Sequence, residues 1–369
     1  MRKQHKLEIK LNILKKMLNK LEIDRLVPKS SEWLNGQGRN SDIIISSRIR
    51  LARNLRNTPF PNRANKKKLE RVVEFVKRAV SNSEVLNGME FLEMNNVNEL
   101  DKEFLVERHL ISPFFAKLNK PGAIFIGEGE LSCIMINEED HLRIQWIRSG
   151  LDIDTAWDNI RVIDDELSSM LDFAFSDELG YLTACPTNTG NGLRVSFFCH
   201  LPGIVLTKNL DKFLEEIVPA GIAVRGFYGE GTDVQGNIFQ VSNQITLGIT
   251  EKDTIERIKK VAKKFIQYEK ESRNKLLKEA KIKIEDKVYR AKAIMKNAKI
   301  IPSLEFMSLL SAIRLGVELK MLKKIDRKIL NELMVTVQSA HIQKLAGRNL
   351  TPLERDILRA EIVKDKINF

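Results

Sequence analysis

The chain has 369 residues, of which 43% are hydrophobic and 30% are charged, a composition ordinary for a folded protein and long enough for two domains. Its three cysteines do not suggest a disulfide framework, and no apolar run reaches the length of a transmembrane helix. The N-terminus also lacks a continuous apolar signal core, so we expect a cytoplasmic protein that does not contact a membrane.

The net charge of +12 is concentrated in two segments of the chain. Residues 1–30 hold nine Lys and Arg against three Asp and Glu, and residues 251–301 hold seventeen against eight. Basic helices can bind nucleic acids or acidic proteins, but most lysine-rich faces are simply solvated. We therefore expect no direct nucleic-acid partner.

Leucines recur at helical spacing over residues 6–24 and predict a basic amphipathic helix that packs on the core or docks a partner. After a loop, an apolar strand over residues 41–53 carries Arg48 and Arg50. The two-residue period of a strand places both guanidinium groups on one face. Such like charges are unfavourable unless an anion lies between them, although each arginine could instead pair with a separate surface carboxylate.

Three short strands over residues 123–126, 133–136 and 142–147 follow one another with tight connections, which predicts antiparallel pairing. The last connection is an acidic tip, Asn137-Glu138-Glu139-Asp140-His141, which taken alone is most often only a solvated turn. Apolar residues at helical spacing predict helices over residues 66–80, 153–175 and 209–218.

Two loops further along the chain carry candidate reactive groups. Cys185 lies before Pro186 in a loop rich in Thr, Asn and Gly, where a thiol could be inert or functional. Glu230 lies among Gly226, Gly229 and Gly231, which predict a mobile loop that closes on a ligand. Strands are predicted over residues 194–200, 222–225, 238–241 and 244–247.

After residue 250 the apolar pattern becomes wholly helical, with helices predicted from residue 255, over 302–315 and over 326–346. Thr351-Pro352-Leu353-Glu354 is a capping box that begins a last helix. That helix carries Arg355 and Arg359 four residues apart, a like-charge pair that a bound anion would stabilise.

These patterns predict an α+β fold, an antiparallel sheet flanked by helices, followed by an all-α domain. We divide the chain into a basic N-terminal extension (1–28), the sheet-containing domain (29–255) and the C-terminal helical domain (256–369).

Single arginines lie on five predicted strand positions: Arg48, Arg50, Arg143, Arg194 and Arg225. No P-loop lysine motif and no protein-kinase signature set accompanies them. If they converge, their planar guanidinium groups would clamp a triphosphate, and the acidic tip with Glu230 would hold a cation beside it. A pair of carboxylates matches a guanidinium in charge and geometry, and a base must take its proton as an N–P bond forms.

Four segments resemble motifs of the phosphagen (ATP:guanidino) kinases, in that family's order and over roughly residues 40–250. They are Ser46-Ser47-Arg48-Ile49-Arg50, the acidic tip through Arg143, Cys185-Pro186-Thr187-Asn188 and Arg225-Gly226…Gly229-Glu230. The runs 224–231 and 237–244 and the signature Arg355-Asp356-x-x-Arg359-Ala360 are most similar to the branch that phosphorylates arginine in proteins.

The resemblance implies a role for each matching residue. It implies that ATP is bound by Ser46, Ser47, Arg48, Ile49, Arg50, His109, Arg143, Arg194, Val195, Ser196, Phe197, Phe198, Arg225, Gly226, Phe227, Tyr228 and Gly229. Glu139 matches the base, Glu138 supports it, Glu230 clamps the acceptor and Cys185 lies near the guanidinium. Mg²⁺ would be carried by ATP without a direct protein ligand. The cluster Arg355, Asp356, Arg359 and Ala360 resembles an allosteric phosphoarginine pocket.

By the same resemblance, the expected activity is ATP-dependent phosphorylation of arginine side chains in proteins, which marks them for Clp-type degradation and inactivates a stress-response repressor. An activator of the McsA type, an unfoldase of the ClpC type and a second copy of the chain are the expected partners. Only about 40 residues precede the first arginine motif, whereas small-substrate members of the family carry a long helical domain there. In the closing loop, this chain has Tyr228 where small-substrate members usually have a basic residue. The resemblance does not extend to the basic N-terminal extension and implies no role for it. A free-arginine kinase, and a catalytically dead adaptor or nucleic-acid-binding protein, are the alternatives.

Overall fold

The computed structural model describes residues 22–217, 221–226 and 235–367. The helix predicted over residues 6–24 therefore lies almost wholly outside the described residues, and its end forms a short 3-10 turn at Ile23–Leu26. Residues 227–230 of the predicted closing loop, with Glu230, also lie outside them. No helix in these three described ranges is both long and apolar enough to cross a membrane.

The sheet-forming segments alternate with helices through the first two thirds of the chain. The strands are β1 (Ile44–Arg53), β2 (Glu90–Glu93), β3 (Ala123–Ile126), β4 (Ser132–Ile136), β5 (Leu142–Ser149), β6 (Phe175–Ser176), β7 (Gly180–Tyr181), β8 (Leu193–His200), β9 (Ile222–Arg225) and β10 (Ile238–Asn243). Eight of them form one sheet in the order β2-β3-β4-β5-β1-β8-β10-β9, and β6 pairs with β7. Every pairing is antiparallel, so the predicted antiparallel α+β fold is confirmed.

The helices lie on the sheet and in the C-terminal third. They are α1 (Lys66–Asn82), α2 (Glu99–Glu107), α3 (Pro113–Ala116), α4 (Ile153–Met170), α5 (Pro202–Leu206), α6 (Leu210–Ile217), α7 (Glu251–Glu279), α8 (Lys281–Asn297), α9 (Ser303–Glu318), α10 (Arg327–Thr336), α11 (Ser339–Ala346) and α12 (Pro352–Lys366). The predicted capping box at Thr351 and Glu354 is present and begins α12.

Two hydrophobic clusters cover the two faces of the central strands. One face, with Ile49, Val195 and Phe197, packs against α1, α4 and the first half of α7. From the other face, Ile147 and Phe198 pack into the cluster that the C-terminal helices form. The sheet is therefore buried on both sides near its centre, and a ligand site on it must be a cavity between layers.

Some predicted element bounds are wrong. Residues 244–247 do not form a strand, because the Thr246 hydroxyl donates instead to the carbonyls of Thr187 and Thr189 at 2.9 and 2.7 Å. The helix predicted over 326–346 is two helices, since Gln338 is extended between α10 and α11. The helix predicted over 153–175 ends at Met170, where Leu171 becomes extended.

The predicted domain boundary at residue 255 falls inside α7. Buried residues of α7 up to Ile266 belong to the cluster on the sheet, whereas Leu276 belongs to the C-terminal cluster. This helix thus crosses from one packing unit to the other, and the boundary remains a prediction.

Candidate active site

A cavity of about 440 Å³ lies against the central strands. It is lined by Arg48, Arg50, Leu51, Ala52, Val106, His109, Ile111, Ser112, Pro113, Phe114, Met135, Glu138, Glu139, Asp140, Arg143, Gln145, Asn188, Gly192, Arg194, Arg225 and Gln240. All five arginines predicted to converge are among these residues, together with the three carboxylates of the acidic tip.

Strand register explains why the arginines converge. Directly opposed residues of antiparallel strands share a face, and β1 places Arg50 opposite Arg194 and Ala52 opposite Arg143. Arg48 lies two residues from Arg50 and therefore on the same face. On the far side of β8, Arg225 of β9 lies opposite Gln240 of β10, which lies opposite Phe198, four residues along from Arg194. The five neighbouring strands β5, β1, β8, β10 and β9 thus present all five guanidinium groups on one face, with Gln240 of β10 between Arg194 and Arg225.

Arg48 and Arg50 are buried among like charges in the arginine cluster. Burial, followed by the charges of Arg143 and Arg194, lowers the pKa of Arg48 to about 9. Burial and the charge of Arg48 also lower the pKa of Arg50 well below its ordinary value. Since like charges in a buried site repel, the protein maintains this cluster at a cost that an anion would relieve. A polyphosphate has the charge and the oxygens to do so.

The His109 ring lines the cavity beside the cluster, and two buried aromatic rings that do not line the cavity lie behind it. The His109 ring lies 5.2 Å from the Phe198 ring and 5.6 Å from the Trp33 ring, and Arg48 lies 5.3 Å from the centre of the Phe198 ring. Burial, with the charge of Arg48, lowers the pKa of His109 to about 3, so the imidazole is neutral at pH 7. A neutral, flat, apolar surface suits the stacking of a nucleobase.

Glu138 is held rigidly at the acidic end of the cavity. Its Oε1 accepts a hydrogen bond from Arg143 at 2.5 Å and another from the Ser112 hydroxyl. Burial alone would raise the pKa of Glu138, but Arg143 and Ser112 lower it below its ordinary value. For Arg143, burial would lower the pKa, and Glu138 raises it above the ordinary value. This carboxylate is thus ionised and already has a partner.

Glu139 is the exposed carboxylate of the tip, and it accepts a hydrogen bond from the Cys185 thiol. Partial desolvation, followed by the charges of Asp140 and Glu138, raises its pKa above the ordinary value. A carboxylate with a raised pKa that is not held by an arginine is suited to accept a proton. The structure therefore brings together Glu139 and Cys185, which the sequence separates by more than forty residues.

Several predicted ATP-binding residues lie elsewhere. The side chains of Ile49, Val195 and Phe197 are in the core on the opposite face of the sheet, so only their backbone could face a nucleotide. Ser47 donates to Gly150 O at 2.8 Å, and the fully buried Ser46 does not line the cavity. Ser196 does not line the cavity, and its hydroxyl donates to Arg48 O at 3.3 Å. Gly226 is buried at the end of β9, and Phe227, Tyr228, Gly229 and Glu230 lie outside the described residues.

Two residues that line the cavity, Ser112 and Gln145, and Lys120 beside the acidic tip were not predicted from the sequence. Ser112 holds Glu138, Gln145 donates to His109 O at 2.8 Å, and Lys120 donates to Glu138 O at 2.9 Å. Burial lowers the pKa of Lys120, and Glu138 partly offsets this. Gln145 could have been found, because it is two residues from Arg143 on a predicted strand and so shares its face. Ser112 and Lys120 lie in a loop and carried no such signal.

The predicted phosphoarginine cluster lies on α12, remote in sequence from the cavity. Arg359 is 1% exposed and donates to Val337 O and Ile301 O at 2.9 and 2.8 Å, and it pairs with Asp356. Arg355 is half-buried and donates to Leu350 O at 3.3 Å. Ala360 is buried. In this arrangement Arg355 is the arginine of the pair that solvent reaches.

The sheet and its arginine-lined cavity define the class of protein. Residues 71–272 match the family described as ATP:guanido phosphotransferase, C-terminal catalytic domain. A taurocyamine kinase from Schistosoma mansoni, solved with bound transition-state analogue components, is 26% identical with a TM-score of 0.55, over 62% of this chain and 33% of that one. A lombricine kinase structure shares the fold, with a TM-score of 0.56, 22% identity, and coverage of 64% of this chain and 68% of that one.

Two further comparisons give the particular family. Residues 281–369 match the family described as Protein-arginine kinase McsB C-terminal domain. The protein-arginine kinase of Halothermothrix orenii is 46% identical over 92% of this chain and 97% of its own length, and that of Bacillus cereus strain AH187 is 42% identical over 95% and 99%. The chain belongs to the protein-arginine kinase family of ATP:guanido phosphotransferases.

Proposed function

We propose that the protein transfers the γ-phosphate of ATP to a guanidinium nitrogen of arginine side chains in proteins. The observation that carries this proposal is the division of one cavity into an arginine face for the phosphates and an acidic tip for the acceptor. Arg143 and Glu139 lie four residues apart on one hairpin, so the two ends are joined covalently. Relatives named protein-arginine kinase, matched over 92% and 95% of the chain, support a protein acceptor.

The chemistry follows from the residues in place. A guanidinium is protonated at neutral pH and has no lone pair to offer until it loses a proton. The Glu139 carboxylate takes that proton from the attacking nitrogen as the N–P bond forms and the bond between the γ-phosphorus and the bridging oxygen breaks. ADP leaves with its negative charge against the five arginines. Such a transfer needs positioning and charge neutralisation more than covalent catalysis.

Mg²⁺ belongs to this proposal through the nucleotide. Within the described ranges no group of three or more His, Cys, Asp or Glu could hold a metal ion. Glu138, the carboxylate nearest the phosphate arginines, is already engaged by Arg143 and Ser112. We propose that the ion is held by ATP oxygens, where it would neutralise phosphate charge.

We also propose roles for Glu230 and α12, and we propose the partners, the location and the domain bounds. Glu230 would clamp the acceptor from a closing loop, and α12 would bind phosphoarginine through Arg355. An activator of the McsA type, an unfoldase of the ClpC type, a homodimer, a cytoplasmic location and roles in protein degradation and stress response are proposed on family membership alone. The division of the chain after residues 28 and 255 is likewise proposed.

Incubation with ATP and a generic unfolded protein tests the function. Acid-labile phosphate on arginine, mapped by mass spectrometry under neutral conditions, is the expected product, and Glu139→Gln is the matched loss-of-function control. Free arginine in the same assay tests the alternative of a phosphagen kinase. Phosphate on free arginine alone would contradict the protein-kinase proposal, and no transfer to either acceptor, with or without an activator, would contradict catalysis.

A further inference from the structure

Two buried polar side chains fasten the loop that carries Cys185 to the acidic tip. Asn54 is 0% exposed and Asp140 is 3% exposed. The Asn54 amide donates to Asp140 Oδ1 at 2.6 Å and to Leu182 O at 3.0 Å, and its Oδ1 accepts from His141 N at 2.8 Å. Asp140 Oδ1 also accepts from Ala184 N at 2.6 Å. These four hydrogen bonds form a closed cluster, which we call the Asn54–Asp140 staple.

The staple joins three chain segments at the acidic end of the cavity. Asn54 directly follows β1, which carries two of the phosphate-facing arginines. Asp140 is the neighbour of Glu139 in the acidic tip, and Ala184 is the neighbour of Cys185. Because the Asp140–Ala184 hydrogen bond joins the immediate neighbours of Glu139 and Cys185, a shift in the staple would move the Cys185 thiol relative to the Glu139 carboxylate, which it contacts.

We propose that Asn54 and Asp140 are positioning residues, which fix the Cys185 loop against the acidic tip so that Glu139 and the thiol meet the guanidinium together. The proposal deepens the proposed function and rests on it for its catalytic consequence. Neither residue takes the proton or touches the phosphates in this account.

The other supports of the loop do not replace the staple. Thr183 donates to Cys185 O at 2.7 Å within the loop itself, and Thr246 supports the far side, at Thr187 and Thr189. Apart from the hydrogen bond between Cys185 and Glu139 itself, the contacts of Asn54 and Asp140 connect the near side of the loop to the acidic tip among the described residues. Asp140 is buried and accepts hydrogen bonds within the staple, whereas the neighbouring Glu139 is exposed.

The chain offers a readout that does not need catalysis. Cys133 and Cys199 are both 0% exposed, so a neutral maleimide applied to the folded protein reports on Cys185. The experiment measures the rate constant of this labelling, together with kcat and the KM for ATP, in Asp140→Ala, Asn54→Ala and Asp140→Asn. Asn331→Ala is the control, because Asn331 is also 0% exposed and hydrogen-bonded, to Arg314 and Leu34, but lies on α10.

The two alanine variants are expected to raise the Cys185 labelling rate and to lower kcat, each by about tenfold, as the loss of a buried hydrogen-bonded group implies. The KM for ATP should stay unchanged. When Asn54→Ala and Asp140→Ala are combined, the fold-loss of kcat should be smaller than the product of the two single losses. Asp140→Asn should lower kcat and raise the labelling rate less than Asp140→Ala does, because the amide oxygen still accepts from Asn54 and Ala184. Asn331→Ala should change neither readout.

Two results would overturn the proposal. One is an unchanged labelling rate in folded Asp140→Ala and Asn54→Ala. The other is a loss of kcat in Asp140→Asn as large as in Asp140→Ala, which would show that the charge of Asp140 acts and not its hydrogen bonds. If the alanine variants do not fold, Asn54→Asp replaces them: it is isosteric but sets a second carboxylate against Asp140, and unchanged labelling there would equally overturn the proposal. If the wild-type protein forms no phosphoarginine, the proposed function is contradicted. The labelling rates would still show whether Asn54 and Asp140 fix the Cys185 loop against the acidic tip.

Discussion

Glu138 and Arg143 form an ion pair of 2.5 Å between Oε1 and Nη1, across the base of the hairpin that carries the acidic tip. Glu138 is 3% and Arg143 23% exposed at the side chain, so the pair is largely removed from water. A charge pair in this environment holds both groups in place, and loss of one partner leaves the other charge buried. The pair therefore distinguishes Glu138, which holds an arginine, from Glu139, which forms no ion pair with an arginine among the described residues and is the proposed base.

The ion pair predicts different effects for the two neighbouring glutamates. In Glu138→Gln the positive cluster loses the carboxylate that pairs with Arg143, so the protein without nucleotide should unfold at a lower temperature. The rise in melting temperature on adding ATP should be larger than in the wild type, since phosphates would then supply the missing negative charge. Thermal melts with and without ATP check this, and an ATP-induced shift smaller than that of the wild type would contradict it.

The arginine cluster predicts a conflict between stability and binding. Burial and the neighbouring Arg48 lower the pKa of Arg50, which means that its charge is unfavourable without a ligand. Arg50→Met should therefore raise the melting temperature of the protein without nucleotide by a few degrees and abolish the shift that ATP produces. The two effects can be measured in one set of melts.

Arg148→Met is the matched control for that variant. Arg148 lies on β5 like Arg143, but it is half-exposed and pairs with Asp152 at 3.2 Å. An exposed ion pair contributes only about 0–1 kcal/mol, so its loss should leave both the melting temperature and the ATP shift nearly unchanged. Equal behaviour of the two variants would show that the cluster has no special relation to ATP.

The environment of Glu139 predicts the acid side of the pH profile. Partial desolvation, then Asp140 and Glu138, raise the pKa of Glu139, and a base acts only when it is deprotonated. The value of kcat should therefore fall as the pH falls through this pKa, at a higher pH than an ordinary glutamate would give. Asp140→Asn removes one of the neighbouring charges, so it should move this acid limb to lower pH.

Asp152→Asn serves as the control for the pH profile, since Asp152 pairs with Arg148 away from the acidic tip. Its acid limb should coincide with that of the wild type. An acid limb that does not move in Asp140→Asn would contradict the assignment of Glu139 as the titrating base.

Much of the fold could be predicted from local pattern. The period-two spacing of Arg48 and Arg50 placed both on one strand face, and both line the cavity. The hairpin from β4 to β5 and the capping box at Thr351 were equally local signals, and both are confirmed. What spacing alone does not provide is the order of the strands, which places Arg194 opposite Arg50 because β8 returns to lie beside β1. The convergence of the arginines depends on that long-range pairing.

The unpredicted parts of the site depend on contacts between distant segments. Asn54 and Asp140 are 86 residues apart, and nothing in either neighbourhood indicates their hydrogen bond. Ser112 is in a loop that reaches Glu138 only when the sheet has formed. Residues 244–247 have an apolar alternation typical of a strand, but the turn chemistry of Asn243, which donates to Ile245 O, ends the strand first. Side-chain hydrogen bonds to the backbone decided these cases.

The division of labour between Glu139 and the arginines is tested most directly in Glu139→Gln, by measuring ATP affinity and single-turnover transfer to a protein substrate in the same preparation. The account predicts ATP affinity close to that of the wild type and phosphoarginine formation at least about 100-fold slower, as expected when a general base is removed. Transfer at the wild-type rate in this variant would contradict the account.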